Sequence, residues 1–117
     1  MFRFETLDIW KLAIEYNKCI YKATKAFPKN EEYALTNQLR RASVSISNNI
    51  AEGSSGTDKG FIKYLNISIG SGLETVNLLG IARDQNYISE SERVEHYKKV
   101  EILIKKIRSF QKSLNKK

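Results

Sequence analysis

Residues 38 to 56, QLRRASVSISNNIAEGSSG, combine the apolar spacing of a helix with many serines and asparagines. An apolar stripe with steps of three or four residues consists of Leu35, Leu39, Ala42, Ile46 and Ile50. Serine and asparagine form helices poorly because their side chains compete for backbone hydrogen bonds. A core helix tolerates them where both flanks are packed and the polar groups find partners across the contact. The stretch therefore predicts a helix packed on both sides, which ends at Gly53 in a left-handed cap.

Proline, glycine and capping residues divide the rest of the chain into three further helices. The four predicted helices cover about residues 6–27, 30–53, 58–86 and 89–115. Pro28 follows the first helix, Asn30 is a candidate cap for the second, and Ser89 with Glu92 has the spacing of a capping box for the fourth. No segment alternates with the period of a strand. We expect a single all-α domain, residues 1–117, folded as an antiparallel up-down-up-down four-helix bundle.

The composition indicates a folded, basic protein. The 117 residues are 41% apolar and 28% charged, with a formal net charge of +7. A basic protein often has an acidic partner such as nucleic acid. Cys19 is the only cysteine, which excludes an internal disulfide and fits a reducing compartment. The charged N-terminus does not resemble a signal peptide, and Glu74 interrupts the most apolar segment, so we expect a cytoplasmic protein without a membrane span.

Surplus apolar and small side chains predict contacts between copies of the chain. The first helix carries a second apolar arc, with Leu7, Trp10, Ile14 and Tyr21, beside its core arc. In the third helix Gly72 lies on the core arc, whereas Gly70 lies on the far side. A helical glycine costs about 1 kcal/mol relative to alanine, and close packing explains that cost best. These features predict a homo-oligomer.

Polar residues on one flank of the second helix are spaced to form a network, and its candidate members are Arg41, Ser45, Asn48, Asn49 and Glu52. Arg40 and Arg41 have a second interpretation, because a guanidinium can hold a phosphate through two parallel hydrogen bonds. The structural role is the favoured one for Arg41. Arg40 lies opposite the apolar stripe, on a face of mostly small residues with Val44, Ser47 and Ala51, and could equally pair across a subunit contact.

Positive charge is concentrated in the fourth helix. From residue 89 onward the chain has nine Lys or Arg and four Glu, a net charge of +5. Lys98, Lys105 and Lys112 recur every seven residues on one side, and Lys99 and Lys106 form a second row. Such rows suit a phosphate backbone, where each neutralised phosphate releases counterions. The alternative is an ordinary solvated face.

The sequence offers little support for catalysis or cofactors. His96, the only histidine, is expected to be a surface or edge residue. No serine or cysteine has an evident base partner, and no spacing suggests a metal or cofactor site. The loop GSSGTDKG lacks the lysine position of a phosphate-binding loop. Trp10, Tyr16, Phe61, Tyr64 and Phe110 fall on apolar arcs, so we expect them in the core rather than stacked on bases.

A specific family resemblance rests on two segments, FPKNEEYALTNQLRRASVSISNNIAEG and FIKYLNISIGSGLET. The chain resembles the four-helix-bundle proteins encoded by intervening sequences in bacterial 23S ribosomal RNA genes, a family that includes the accessory variability protein of diversity-generating retroelements. The motif is Q-x-R-R-A-x-x-S-I-x-x-N-I-A-E-G, with Leu39 at its first variable position. Ser68, where alanine is usual, is a mild departure.

The resemblance implies a homopentameric barrel with a basic surface that binds RNA or DNA, and it implies no enzyme. Two functions stay open at the level of sequence. The chain either binds nucleic acid or docks a protein, as an accessory subunit of a polymerase or another nucleic-acid enzyme.

Overall fold

The computed structural model describes residues 1–116, which form four α-helices and two short 3-10 helices. The α-helices are α1 (Asp8–Thr24), α2 (Leu35–Gly53), α3 (Asp58–Asp84) and α4 (Glu90–Asn115). The 3-10 helices are Arg3–Thr6, before α1, and Lys29–Glu31, between α1 and α2. Residues 1–116 contain no strand. The predicted all-α fold is confirmed.

The long helices form a square bundle. α1 packs against α2 and α4, and α3 packs against the same two helices. Short connections join consecutive helices, so neighbours run antiparallel. The molecule measures 46 × 23 × 20 Å, and α3, with 27 residues, spans about 40 Å of its long axis at the usual helical rise. The predicted antiparallel four-helix bundle is confirmed.

Each helix contributes a stripe of buried side chains to one core. The stripe of α2 consists of the predicted Leu35, Leu39, Ala42, Ile46 and Ile50. The fully buried side chains at the centre include Ile20, Phe61, Leu65, Leu79 and Ile107. A hydrogen bond of 2.7 Å between Tyr16 Oη and Thr75 Oγ1 crosses the core from α1 to α3. The core therefore contains a satisfied polar pair as well as apolar contacts.

Both flanks of α2 are packed within the chain, as its serines predicted. On the α1 side, Asn17 donates to the fully buried Ser43 hydroxyl at 2.8 Å. On the α3 side, Ser68 donates to the carbonyl of Ile46 at 2.9 Å, and Ser71 donates to Ser45 at 2.8 Å. These bonds satisfy the hydroxyls of a poor helix-forming sequence without any second copy of the chain.

Gly53 does not form the left-handed cap that we expected. No glycine among residues 1–116 has a positive φ, and Gly53 is the last residue of α2. A Cβ at this position would lie 2.6 Å from Tyr64 Cβ and 2.8 Å from Phe61 Cδ1 of α3. Glycine is required because two helices approach each other closely here. Among residues 1–116 the residue with a left-handed backbone is Asn86, with φ of 64°, in the turn between α3 and α4.

The first two helices are shorter than predicted. α1 ends at Thr24, not residue 27, and α2 begins at Leu35, not residue 30. Asn30 lies inside the 3-10 helix Lys29–Glu31 and therefore cannot cap α2. Thr57 caps α3 through a hydrogen bond that its side chain accepts from the N–H of Gly60. The cap at Ser89 is as predicted, and Ser89 with Glu92 forms the complete capping box.

Leu7 and Trp10, at the start of the second apolar arc of α1, are partly covered by the N-terminal segment of the chain. The 3-10 helix Arg3–Thr6 packs against α1 and α2. Phe4 meets Trp10 edge-on, with ring centroids 5.2 Å apart, and both Leu7 and Trp10 are only partly exposed. This arc therefore offers less support for an oligomer than the sequence suggested.

Candidate nucleic-acid interface

The outermost face of α4 carries three lysines in a row. The buried face of this helix consists of His96, Val100, Leu103, Ile107 and Leu114. At 100° per residue, Lys98, Lys105 and Lys112 project from the opposite side, and all three are exposed. Successive lysines are separated by about 10 Å at the usual helical rise. None of the three makes an ion pair or a hydrogen bond to any residue in 1–116.

The second row is less uniform. Lys106 is exposed and has no partner among the described residues. Lys99 donates to Cys19 Sγ at 3.2 Å and to Glu95 at 3.4 Å. The hydrogen bond to Cys19 is the main reason that the pKa of Lys99 is raised above its usual value. Lys99 remains charged but is directed toward α1, and Lys106 is the freer of the two.

The two halves of α4 differ in charge. The first two turns contain Glu90, Glu92 and Glu95, and Arg93 is engaged there by Glu90 at 2.7 Å. That hydrogen bond holds the pKa of Glu90 below its ordinary range. From Lys98 to Lys116 the sequence has seven Lys or Arg and one Glu. Free positive charge is therefore concentrated toward the C-terminal end of the helix.

Arg108 is a candidate that sequence reasoning missed. It is exposed and makes no hydrogen bond or ion pair to a described residue. Together with Lys105 it lines the rim of a cleft of about 260 Å³ between α3 and α4, where Leu73 and Tyr97 are also exposed. Its position three residues after Lys105 was the available signal. We use the term α4 basic surface for Lys98, Lys105, Lys106, Arg108 and Lys112.

The two neighbouring arginines of α2 lie in different environments. Arg40 is partly buried, its guanidinium lies 4.7 Å from the Tyr21 ring centroid, and its Nε donates to Thr24 Oγ1 at 2.7 Å. Arg40 thus ties α2 to α1 within one chain. Arg41 is exposed and makes no such contact with residues 1–116.

The predicted polar network around Arg41 is not formed. Of its five members only Ser45 and Asn49 are joined, since Asn49 Nδ2 donates to the Ser45 carbonyl at 2.8 Å and to its hydroxyl at 3.1 Å. Within residues 1–116 the side chains of Arg41, Asn48 and Glu52 take no part in a hydrogen bond or ion pair. These three side chains face solvent, which satisfies them without a protein partner.

The structure does not bring Arg41 together with the lysines of α4. Arg41 and Asn48 line a shallow cleft of about 470 Å³ at the outer side of α1 and α2. α2 and α4 occupy opposite corners of the square. The candidate residues therefore form two separate surfaces, of which the α4 basic surface has more free charge.

His96 is buried, and the prediction of a surface or edge residue is wrong. It is 8% exposed, and its Nδ1 has no hydrogen-bond partner among the described residues. Burial lowers the pKa of His96, and the nearby Lys99 lowers it further. Tyr16 and Phe61 are in the core as predicted, whereas Tyr64 is 39% exposed and is not a core residue.

Nothing in the described part of the chain forms a metal centre. Residues 1–116 contain no group of three or more His, Cys, Asp or Glu that could hold a metal ion. Among the same residues, no helix is both long and apolar enough to cross a membrane.

Comparisons with known proteins support the family expectation. The family model described as 23S rRNA-intervening sequence protein matches residues 5–109. A solved structure, a protein of unknown function from the S23 ribosomal protein family of Bacteroides thetaiotaomicron VPI-5482, superposes with a TM-score of 0.78 at 23% sequence identity. The alignment covers 89% of this chain and 98% of that one, so the two share the fold. No curated protein matches the chain.

Proposed function

Because the chain belongs to the 23S rRNA-intervening sequence protein family, we propose that it is a non-catalytic bundle that binds RNA or DNA through the α4 basic surface. The observation that carries the proposal is the exposed row of Lys98, Lys105 and Lys112, which has no acidic partner among residues 1–116. These lysines are free to meet phosphates.

The geometry of the row suits a phosphate backbone better than a base edge. Successive lysines are about 10 Å apart along α4, close to the axial rise of three phosphates along one strand, about 3.4 Å each. A lysine ammonium is a compact point charge that contacts phosphate without reading sequence. We therefore expect binding that depends weakly on sequence and strongly on salt.

Charge reversal of the row tests the proposal. We expect Lys98→Glu, Lys105→Glu and Lys112→Glu together to weaken binding of a labelled oligonucleotide by about tenfold or more at low salt, since three phosphate contacts become repulsive. Fluorescence anisotropy with RNA and DNA of equal length measures the loss. Circular dichroism should show unchanged helix content, because the three positions are exposed.

A second triple variant controls for net charge. Lys18, Lys25 and Lys29 are exposed outside α4, and their change to Glu alters the total charge equally. We expect this variant to retain most of the binding. Equal losses in both triple variants would show that only net charge matters, and the α4 basic surface would then have no special role.

Assembly into several copies is the second element of the proposal, with a pentamer as the expectation from the family resemblance. The outer face of α3 supports it, because Ile67, Leu73 and Ile81 are 49%, 53% and 42% exposed. Cβ atoms at Gly70 and Gly80 would meet nothing within 4 Å, so another backbone could approach them. Several α4 basic surfaces in one assembly would raise affinity by multivalency.

Light scattering tests the assembly. We expect a mass several times the 13.5 kDa of one chain, with five copies as the specific expectation. The Gly70→Ala variant should give a lower mass, because its methyl group would obstruct the approach of a second chain. A single-chain mass for the parent at micromolar concentration would contradict the proposed assembly.

A second candidate function is a docking scaffold for a polymerase or another nucleic-acid enzyme. The cleft between α3 and α4 favours it, because its lining includes exposed Leu73 and Tyr97 beside Lys105 and Arg108. Aromatic side chains and arginine are enriched at protein interfaces. Affinity purification from a cytoplasmic extract, our proposed location, with identification of bound RNA and protein would distinguish the two functions.

A further inference from the structure

A small cleft at the N-terminal end of α2 gathers positive charge. Its volume is about 140 Å³, and its charged lining residues are Lys25, Lys29, Arg40 and Glu32. The ion pairs of residues 1–116 include none of these four side chains. Three cations against one carboxylate leave the lining with a net charge of +2. The cleft is separate from the α4 basic surface, because it is built from α1, α2 and the segment that connects them.

The N-terminal end of α2 has no cap of its own. Ala34 precedes the helix without a side-chain hydrogen bond, and the first turn contains no acidic residue. The first backbone N–H to donate within the helix is that of Gln38, which meets the carbonyl of Ala34 at 2.9 Å. The N–H groups of residues 35–37 have no partner in the described chain. Free N–H groups at the positive end of a helix dipole favour an anion.

Thr36 is a second, independent feature that indicates a ligand. It lines the cleft and is only 6% exposed, yet its hydroxyl makes no hydrogen bond to residues 1–116. Among these residues the unpartnered side-chain atom that is sealed from solvent is His96 Nδ1, so the Thr36 hydroxyl has open space before it. Thr24, also in the lining, has its hydroxyl occupied by Arg40 Nε at 2.7 Å. Thr36 therefore presents a free hydroxyl from a nearly buried position.

Arg40 is held in place at the cleft by contacts with α1. Its Nε donates to Thr24, its Nη2 donates to the carbonyl of Tyr21 at 3.5 Å, and its guanidinium packs on the Tyr21 ring. Its Nη1 donates to no described residue. A guanidinium that is already ordered loses little conformational freedom when it binds an anion.

These donors match the chemistry of a phosphate group. We propose that the cleft binds the terminal phosphate of a small ligand, either free phosphate or a phosphate monoester. Ammonium, guanidinium, hydroxyl and helix N-terminal N–H groups are all phosphate donors. Ligand pockets usually measure roughly 300–1,000 Å³, so this smaller cleft suits the phosphate group itself. A phosphodiester within a nucleic-acid strand carries one charge and a substituent on each side, which fits the cleft less well.

Titration with inorganic phosphate and with glycerol 3-phosphate tests the site. Calorimetry at constant ionic strength measures both dissociation constants, and the tighter ligand shows whether the phosphate is free or esterified. We expect the Lys25→Met, Lys29→Met double variant to bind about tenfold more weakly than the parent, because two charged contacts are lost. The matched control, Lys11→Met with Lys63→Met, removes two exposed and unpaired lysines elsewhere and should bind like the parent.

Two single variants separate binding from stability. Thr36→Val keeps a branched side chain but removes the hydroxyl, so we expect about threefold weaker binding. Its melting temperature without phosphate should not fall, because the hydroxyl has no partner in the described chain to lose. Glu32→Gln should bind phosphate about twofold more tightly, because a repulsive charge is removed.

Nuclear magnetic resonance of the backbone amides locates the bound phosphate. In the parent, the N–H signals of Thr36 and Asn37 should shift and saturate as inorganic phosphate is added. Absence of saturable binding at millimolar phosphate, or binding without shifts at these two amides, would overturn the proposal. Equal weakening in both double variants would also overturn it, because phosphate would then respond only to the net charge. None of these outcomes bears on the α4 basic surface.

Discussion

At the scale of single residues, Arg40 and Arg41 show what a sequence pattern cannot resolve. They are adjacent and identical, so composition and charge treat them alike. Arg40 packs on Tyr21 and Thr24 of α1, whereas Arg41 points to solvent. The difference depends on which neighbouring helix each side chain meets. The spacing of Arg41, Ser45 and Asn48 on one flank did not show that solvent, rather than a helix, lies beyond Arg41.

The arginine pair gives a direct comparison of stability. We expect Arg40→Ala to lower the free energy of unfolding by about 1 kcal/mol, because it removes a cation–π contact and a hydrogen bond to Thr24. Arg41 makes no hydrogen bond, ion pair or ring contact to residues 1–116, so Arg41→Ala should change the free energy of unfolding by less than about 0.5 kcal/mol. Urea unfolding at pH 7 measures both. A larger effect for Arg41→Ala would mean that its environment is not the one described.

His96 should make stability depend on pH near neutrality. Burial lowers the pKa of His96 in the folded chain from its usual value of 6.5. The unfolded chain therefore binds a proton more readily, and stability is lost as the pH falls below about 6.5. The loss stops once the pH is below the folded pKa.

Melting temperatures of the parent and a His96→Leu variant between pH 7.5 and 5 test this dependence. The melting temperature of the parent should fall more across this pH range than that of the variant. Glu90 and Glu92 have lowered pKa values, so stability due to them is lost only at more acidic pH. Parallel profiles for both proteins would show that His96 is not buried in a neutral form.

At the scale of elements, local signals were predictable and tertiary ones were not. The capping box of α4 needs only Ser89 and Glu92, three residues apart, and it was found from sequence. The start of α2 at Leu35 was not predicted, because the segment before it adopts a 3-10 turn. In that turn the Glu31 carboxylate accepts a hydrogen bond of 2.9 Å from the distant Tyr87. A sequence pattern contains local signals such as this capping box, but it does not contain contacts between distant residues such as Glu31 and Tyr87.

Gly53 and Gly56 provide a matched pair for the contact between α2 and α3. An alanine Cβ at position 53 would overlap Tyr64 and Phe61, so we expect Gly53→Ala to lower the free energy of unfolding by about 1–3 kcal/mol. At position 56 the atom nearest to an added Cβ would be 3.9 Å away, and the φ angle of Gly56 is not positive. Gly56→Ala should be neutral or stabilising by up to about 1 kcal/mol. Chemical denaturation measures the stability of both variants. Equal stabilities would contradict this account.

At the scale of the whole molecule, the bundle could be predicted but the positions of its surfaces only in part. Apolar periodicity and short connections determine four antiparallel helices, and these were found from sequence. The partial cover of Leu7 and Trp10 by residues 3–6 depends on how the N-terminal segment folds back onto α1, which apolar periodicity does not contain. The exposed lysines of α4 were predictable because the buried seam of one helix also defines its opposite face.

The salt dependence of nucleic-acid affinity tests the central claim most directly. The dissociation constant for one oligonucleotide is measured across a salt series for the parent and for the Lys98, Lys105, Lys112 triple Glu variant. Each phosphate contact contributes about 0.7–0.9 to the slope of log affinity against log salt, so the parent's slope should be steeper by about 2 or more per α4 basic surface engaged. Equal slopes and equal affinities would contradict the account, because the lysines of α4 would then form only a solvated face.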